Sequence, residues 1–435
     1  MIKANRTLRH RFHLNLSARW ASICFLLLGL LLWINCSDRQ RLNPIDPLNP
    51  NTAGKPGSLR IYSELDQAVL EWQAIPIRDF IGYRIYRKGP ADTHFQFIHL
   101  SPPESTRYRD QNLAFDSVYQ YQISVQALDF ETPRSDIVSI IPGPTYIWAT
   151  DIYNRRLIQI THDGAHEIMQ IPVDGYPAEL ALDAPLQRLW FIDILLNRVY
   201  FLEAGIPRLA ASLAGGRPSD IAMDVDNDRI WISDETKGIV YVLNRQGQRV
   251  GEVAGFTKPI ALDIDFRDGA GWVVDLKAAR VSKIAPNLSI ALQLMDFHRP
   301  MDISVNQKTG ECWVADSSRV LKFDARGNVK LRLESGFSFV TKLAVDSNTG
   351  NCWVLDQEFW FQRARLLCFN EKGHQLVNVS GLSWPENIAV NPYDHGCVVA
   401  DAGNARIIKF FSDGRVFGQI TGYDYPQGLL VEYVR

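Results

Sequence analysis

From residue 148 onward the chain repeats itself. The pattern W-x-x-D recurs at Trp148/Asp151, Trp190/Asp193, Trp231/Asp234, Trp272/Asp275, Trp313/Asp316 and Trp353/Asp356, with Val398/Asp401 as a seventh copy in which Val stands for Trp. Successive first positions lie 42, 41, 41, 41, 40 and 45 residues apart. A unit this short cannot bury an apolar face alone, so it must stack on its neighbours. Each of the last six copies follows P-x-x-[IL]-x-x-[DN], as in Pro177 to Asp183, Pro218 to Asp224, Pro259 to Asp265, Pro300 to Asn306 and Pro385 to Asn391, with Val340 replacing Pro in the remaining one. After the Asp come a turn, an alternating strand and a weaker fourth strand, which together make one antiparallel propeller blade. The first copy lacks a leading strand, but Pro426 to Glu432 supplies one at the C-terminus. The expectation is an all-β chain ending in a seven-bladed β-propeller over 144–435, closed by its C-terminal strand so that no sheet edge is left open.

In this register a large ring at one point of each second strand packs against the next blade, and the Asp that ends the strand accepts turn N–H groups. Seven Asp residues at one repeat position are therefore no evidence of a catalytic carboxylate. The pattern resembles NHL-type propellers, whose repeat runs P-x-G-I-A-V-D, a V-A-D strand, then N-x-R-I. Val399-Ala400-Asp401 followed by Asn404-Ala405-Arg406-Ile407 carries the resemblance best, while the Gly of the first motif is usually absent.

The N-terminal third is different. Residues 1–35 contain no acidic residue and five basic ones, Lys3, Arg6, Arg9, Arg11 and Arg19, ahead of an apolar run over 21–34. Fourteen residues suit a signal-peptide core better than a membrane span, which needs about 20. Cys36 directly after the run resembles the acylated cysteine of a bacterial lipobox, which implies a lipid-anchored protein of the cell envelope, with Ser37 pointing to the outer membrane. Trp33 and Asn35 depart from the usual Leu and small residue, so an ordinary signal is the alternative. Residues 36–57 hold four prolines and read as a semi-rigid extended linker.

Over 58–143 short alternating strands separated by Pro, Gly and Asp read as a β-sandwich. This stretch resembles a fibronectin type III domain: Trp72, Tyr83 and Ile85 take core positions, and Tyr121, Ile123, Val125 and Ala127 reproduce Y-x-[IV]-x-V-x-A. The resemblance implies that Tyr121 buries its ring and bonds its hydroxyl to backbone.

Charge separates the function classes. Without its first 35 residues the chain carries 41 basic and 48 acidic side chains, a net −7, so nucleic acid is not an expected partner. One apolar run excludes a polytopic membrane protein.

Functional positions of a repeat protein are those that vary on one face. The residue before each leading Pro lies at the axial mouth, and around the ring it reads Tyr176, Arg217, Lys258, Arg299, Phe339, Trp384 and Tyr425. Two positions into the strand an axial polar ring includes Glu179, Asp220 and Asp302. Aromatic faces stack on sugars or aromatic ligands, and Arg or Lys holds carboxylate or phosphate. The sixth repeat is lengthened by a turn carrying Phe359, Trp360 and Phe361, expected on the same face. The expected function is binding or scaffolding of a protein or glycan of the envelope by a monomer; the alternative is a propeller lyase or hydrolase. No catalytic residue, metal or cofactor is assigned, because no His cluster converges and no nucleophile, zinc or nucleotide motif occurs. Arg217 and Arg299 are read as possible counter-charges for the axial acids. Cys352 and Cys368 are the one pair considered for a disulfide; otherwise the cysteines are small buried hydrophobes.

Overall fold

The computed structural model describes residues 43–77, 80–358 and 363–434. The segment bearing Cys36 and the turn bearing Phe359, Trp360 and Phe361 lie outside the described residues. The protein is all-β, built largely from four-stranded antiparallel sheets, and its only described helices are single 3-10 turns.

The N-terminal module has two facing sheets. One pairs Arg60–Glu64, Gln67–Glu71 and Arg107–Asp110; the other pairs Gln96–Ser101, Gly82–Lys88, Tyr119–Gln126 and Val138–Ile140. Alternation puts Tyr83, Ile85, Tyr121, Ile123 and Val125 into one core with Trp72. Tyr121 corrects one expectation: its buried hydroxyl donates to the Asp110 carboxylate at 2.7 Å rather than to backbone. Asp110 is itself held by Arg87, so a buried carboxylate replaces a carbonyl as acceptor. Backbone is bonded instead by Tyr119, whose hydroxyl accepts the Ala114 N–H.

The Pro-rich segment is not extended over 43–57. Asn43, Asp46 and Asn49 each precede Pro and each accept the N–H two residues on, from Ile45, Leu48 and Asn51. These Asx turns every third residue coil the chain and place Ile45 in the sandwich core.

Seven four-stranded sheets follow. Six are consecutive runs, and the first takes Glu167–Pro172, Arg156–Ile160 and Thr145–Asp151 from the start of the region and Pro426–Tyr433 from the C-terminus. The C-terminal strand pairs antiparallel to Thr145–Asp151, with Leu429 opposite Ala149 and Tyr433 opposite Thr145. In each sheet the strand that begins with the repeat Pro or Val340 is innermost. These inner strands touch in cyclic order from sheet two to sheet seven, then Pro426–Tyr433, then back to Pro177–Asp183. The arrangement is β-propeller-like.

Packing between sheets follows the repeat. Trp231 lies with Leu262, Ile264 and Val273 of the next sheet, and Trp272 with Ile303, Val305 and Val314. Gly271 is required here, since a Cβ would sit 2.9 Å from the Trp231 ring. Val398 packs on Ile147, Ala149, Ile158 and Ile160, so the seventh sheet meets the first as the others meet their successors. Polar staples repeat as well. Arg229 donates to the Pro286 carbonyl, Lys283 to Ala325, and Lys409 to His162. The last of these joins sheet seven to sheet one.

The sandwich sits over that seam. Its Asp116 meets His162 Nε2 of the first sheet at 3.2 Å and accepts the Tyr393 hydroxyl of the seventh at 2.8 Å. Thr145 Oγ1 contacts His162 Nδ1 and accepts from Asn391. Burial pulls His162 down to about 4, with the Lys409 charge adding to the effect against Asp394 and Asp116. An unfolded histidine titrates near 6.5, so the folded chain resists a proton that the unfolded chain takes up. Stability is therefore full above pH 6.5 and falls as pH drops towards 4. The loss between pH 7 and pH 4 is expected to be about 3 kcal/mol larger in the wild type than in His162→Gln; equal losses in urea titrations would contradict it.

The described cysteines, Cys312, Cys352, Cys368 and Cys397, are free and buried. Cys368 pairs opposite Trp353 and Cys352 opposite Phe369. Neighbouring positions in register point to opposite faces, so Cys352 and Cys368 are not placed to bond.

Candidate functional site at the mouth of the inner strands

The seven repeat Asp side chains are all buried and latch the loops that lead into the inner strands. Asp193, Asp234, Asp275, Asp316 and Asp356 accept the N–H groups of Tyr176, Arg217, Lys258, Arg299 and Phe339 at 2.6–3.0 Å. In the remaining two sheets the latch shifts by one residue: Asp401 holds Ser383 N–H and Asp151 holds Asp424 N–H. The next residues, Trp384 and Tyr425, then adopt left-handed backbone, φ +45° and +70°. Such geometry in a bulky residue costs roughly 1–3 kcal/mol and is concentrated at functional positions. The Asp residues thus act on turn N–H groups as expected, and most also bind an Arg that was not anticipated, as in Asp275 with Arg280 and Asp316 with Arg319.

All seven sequence-chosen mouth residues therefore lie at one end of the cycle of sheets, in segregated order. Phe339, Trp384, Tyr425 and Tyr176 belong to sheets six, seven, one and two, and Arg217, Lys258 and Arg299 to sheets three, four and five. Tyr153, 55% exposed, bridges the aromatic arc, with ring centroids 5.8 Å from Tyr176 and 5.4 Å from Tyr425. In the basic arc Glu235 lies 3.0 Å from both Arg217 and Lys258, and the Arg299 guanidinium lies over Phe339 at 5.2 Å. The sequence reading missed Tyr153 and Glu235. They occupy the two positions directly after the repeat Asp, which are as variable as the position before Pro and were open to the same reading.

The axial ring is a charged floor. Lys342 lies 3.7 Å from Glu179 and 3.8 Å from Asp302, and Asn387 donates to Glu179 at 2.7 Å. Gly428 permits that last contact between sheets seven and two, because a Cβ there would strike the Ala178 carbonyl. Burial opposes the Lys342 charge, yet Asp302, Glu179, Asp220 and Glu386 hold its pKa above the usual lysine value. Burial raises Asp220, Asp302 and Glu386, against the pull of Lys342. The counter-charge of the axial acids is therefore Lys342; Arg217 pairs with Glu235 and Arg299 stacks on Phe339. Asp220 and Asp302 also accept backbone N–H groups of the following inner strand, from Leu262 and Leu343. Glu386, a third missed residue, accepts the Tyr425 hydroxyl at 2.5 Å. Among the described residues no three His, Cys, Asp or Glu side chains are grouped to hold a metal ion.

The mouth and the sandwich occupy opposite ends of the cycle. Thr145–Asp151 begins beside the Asp116 clasp and ends at Asp151, whose carboxylate latches the loop before Tyr425.

No protein-family model matches the chain, and no curated protein matches its sequence. Among solved structures, a functionally unknown protein from Desulfotomaculum acetoxidans DSM 771 is similar over 67% of this chain and 99% of its own, with TM-score 0.56 and 12% identity. A putative 6-phosphogluconolactonase from Bacteroides uniformis ATCC 8492 is similar over 66% of this chain and 100% of its own, with TM-score 0.55 and 11% identity. At such identities the likeness is one of fold alone.

Proposed function

We propose that the protein is a cell-envelope lipoprotein in which a fibronectin type III module carries a closed seven-bladed NHL-like propeller, and that the propeller mouth binds a protein or glycan ligand. In this reading residues 1–35 are removed, Cys36 carries the lipid that holds the chain to a membrane, the outer membrane in the first instance, and the mature protein is a monomer. The carrying observation is the split rim: four aromatic positions on one side, three basic ones on the other, each set by a buried Asp latch. Because the sandwich leads back to the N-terminus at the opposite end, an anchored molecule presents its mouth outward.

The full chain with Arg217, Arg299 and Trp384 all changed to Ala is expected to keep its melting temperature within a few degrees and to lose glycan-array and envelope pull-down partners by about tenfold or more. An unchanged ligand profile removes the mouth from consideration. The lyase or hydrolase alternative draws on the Tyr425 hydroxyl bonded to Glu386, a half-buried carboxyl with raised pKa beside Lys342, which is a composition suited to proton transfer. Turnover of a bound glycan that Glu386→Gln abolishes would favour it.

A further inference from the structure

We infer that the ligand of the mouth is a saccharide bearing anionic substituents, of the uronic-acid kind; the inference rests on the mouth reading above and adds the ligand's chemistry. Three features of the same opening select it. The first is a surplus of positive charge confined to one arc. Arg217 and Lys258 share the single carboxylate of Glu235, and Arg299 makes no ion pair among the described residues, so two positive charges in that arc are left without a carboxylate. An anionic group is attracted to that arc.

The second is the floor. Glu179, Asp220, Asp302 and Glu386 outnumber Lys342, so the centre is acidic and its side chains are mainly hydrogen-bond acceptors. Such a floor repels an anion from the axis and accepts hydrogen bonds from neutral donors. Hydroxyl groups meet that demand. A peptide backbone brings a carbonyl for every N–H and would leave those carbonyls facing carboxylates. The third is the exposed ring of Tyr153, which touches both Tyr176 and Tyr425. Flat aromatic faces suit the C–H face of a pyranose. One molecule that carries an anion on its edge, hydroxyls towards the floor and an apolar ring face satisfies all three together.

The test is calorimetric titration of the full chain with short oligouronates, with the same oligosaccharides after reduction of their carboxyls to alcohols, and with a sulfated neutral saccharide. Oligouronate is expected to bind, and carboxyl reduction to weaken it by about tenfold or more. Arg299→Ala is expected to weaken oligouronate by a similar factor and leave the reduced form unchanged. Tyr153→Ala should weaken both equally, and Lys372→Ala, an exposed base outside the mouth, neither. Binding confined to the sulfated form would support an anionic saccharide and place sulfate, not carboxylate, on the basic arc. Equal affinity for native and reduced oligosaccharide would overturn the inference. So would binding of an acidic peptide in place of any saccharide; if Tyr153→Ala abolished that binding, the mouth would stand and only the ligand class would fall. Oligouronate binding untouched by both Arg299→Ala and Tyr153→Ala would contradict the mouth reading itself.

Discussion

Trp272→Ala is expected to cost about 3–5 kcal/mol, visible as a large fall in the urea midpoint, because it opens a cavity between two sheets. Trp272 is fully buried, and its contacts Ile303, Val305 and Val314 belong to the following sheet. The variant therefore loosens a joint of the cycle as well as its own sheet. Trp272→Phe is expected to lose less than half as much, for a specific reason. The indole N–H of Trp272 has no hydrogen-bond partner among the described residues, so Phe removes volume without breaking a hydrogen bond seen there, and it relieves a buried donor. Trp148 differs, since its indole donates to Glu432 of the C-terminal strand at 2.9 Å. An unchanged midpoint for Trp272→Ala would mean that the tryptophans do not cement the sheets together.

Lys342→Met is expected to be the most damaging single change at the mouth, at about 3 kcal/mol near neutral pH. The lysine is the shared counter-charge for Glu179, Asp220, Asp302 and Glu386, and without it those carboxylates repel one another in a partly buried setting. The pH dependence gives the effect its signature. Asp220, Asp302 and Glu386 already have raised pKa values, and loss of Lys342 raises them further. Groups with raised folded pKa values add stability at low pH and lose it as pH rises through those values. The deficit of Lys342→Met should accordingly shrink as pH is lowered from 7 to 5 and grow back on return. A deficit independent of pH would show that the lysine acts by packing alone.

These two sites differ in how openly the sequence displayed them. The Trp positions recur at a fixed spacing, so their burial, and the inner position of the P-x-x-[IL] strand, follow from the repeat. The mouth residues were legible for the same reason, because a fixed reference Pro identifies the loop residue in each copy. What the repeat does not encode is pairing between copies. Lys342 holds the same repeat position as Glu179 and Asp302 in its own copy, and its role appears only when sheet six is brought towards sheets two and five. Glu386 is hidden similarly: it follows a leading Pro, where the other copies carry no acid, and gains meaning only from Tyr425 of the neighbouring sheet. The Asx-Pro turns of 43–57 were legible in principle. Asn43, Asp46 and Asn49 each precede Pro at intervals of three, a turn signature that the high proline content masked as an extended linker. Tyr121 shows the opposite limit, since no local pattern reveals that Asp110 will stand where a backbone acceptor is expected.

The mouth exists only if the sheets form a closed cycle, and one strand decides that. Amide hydrogen exchange of the full chain, resolved over 426–433, measures it directly. If the C-terminal strand closes the first sheet, the Leu430 and Glu432 amides, which face Trp148 and Tyr146 in hydrogen-bonded register, should be protected to the same degree as Thr145–Asp151, and both should open together. Exchange of 426–433 at the rate of a free tail, with the other sheets still protected, would contradict the closed ring and the binding mouth that depends on it.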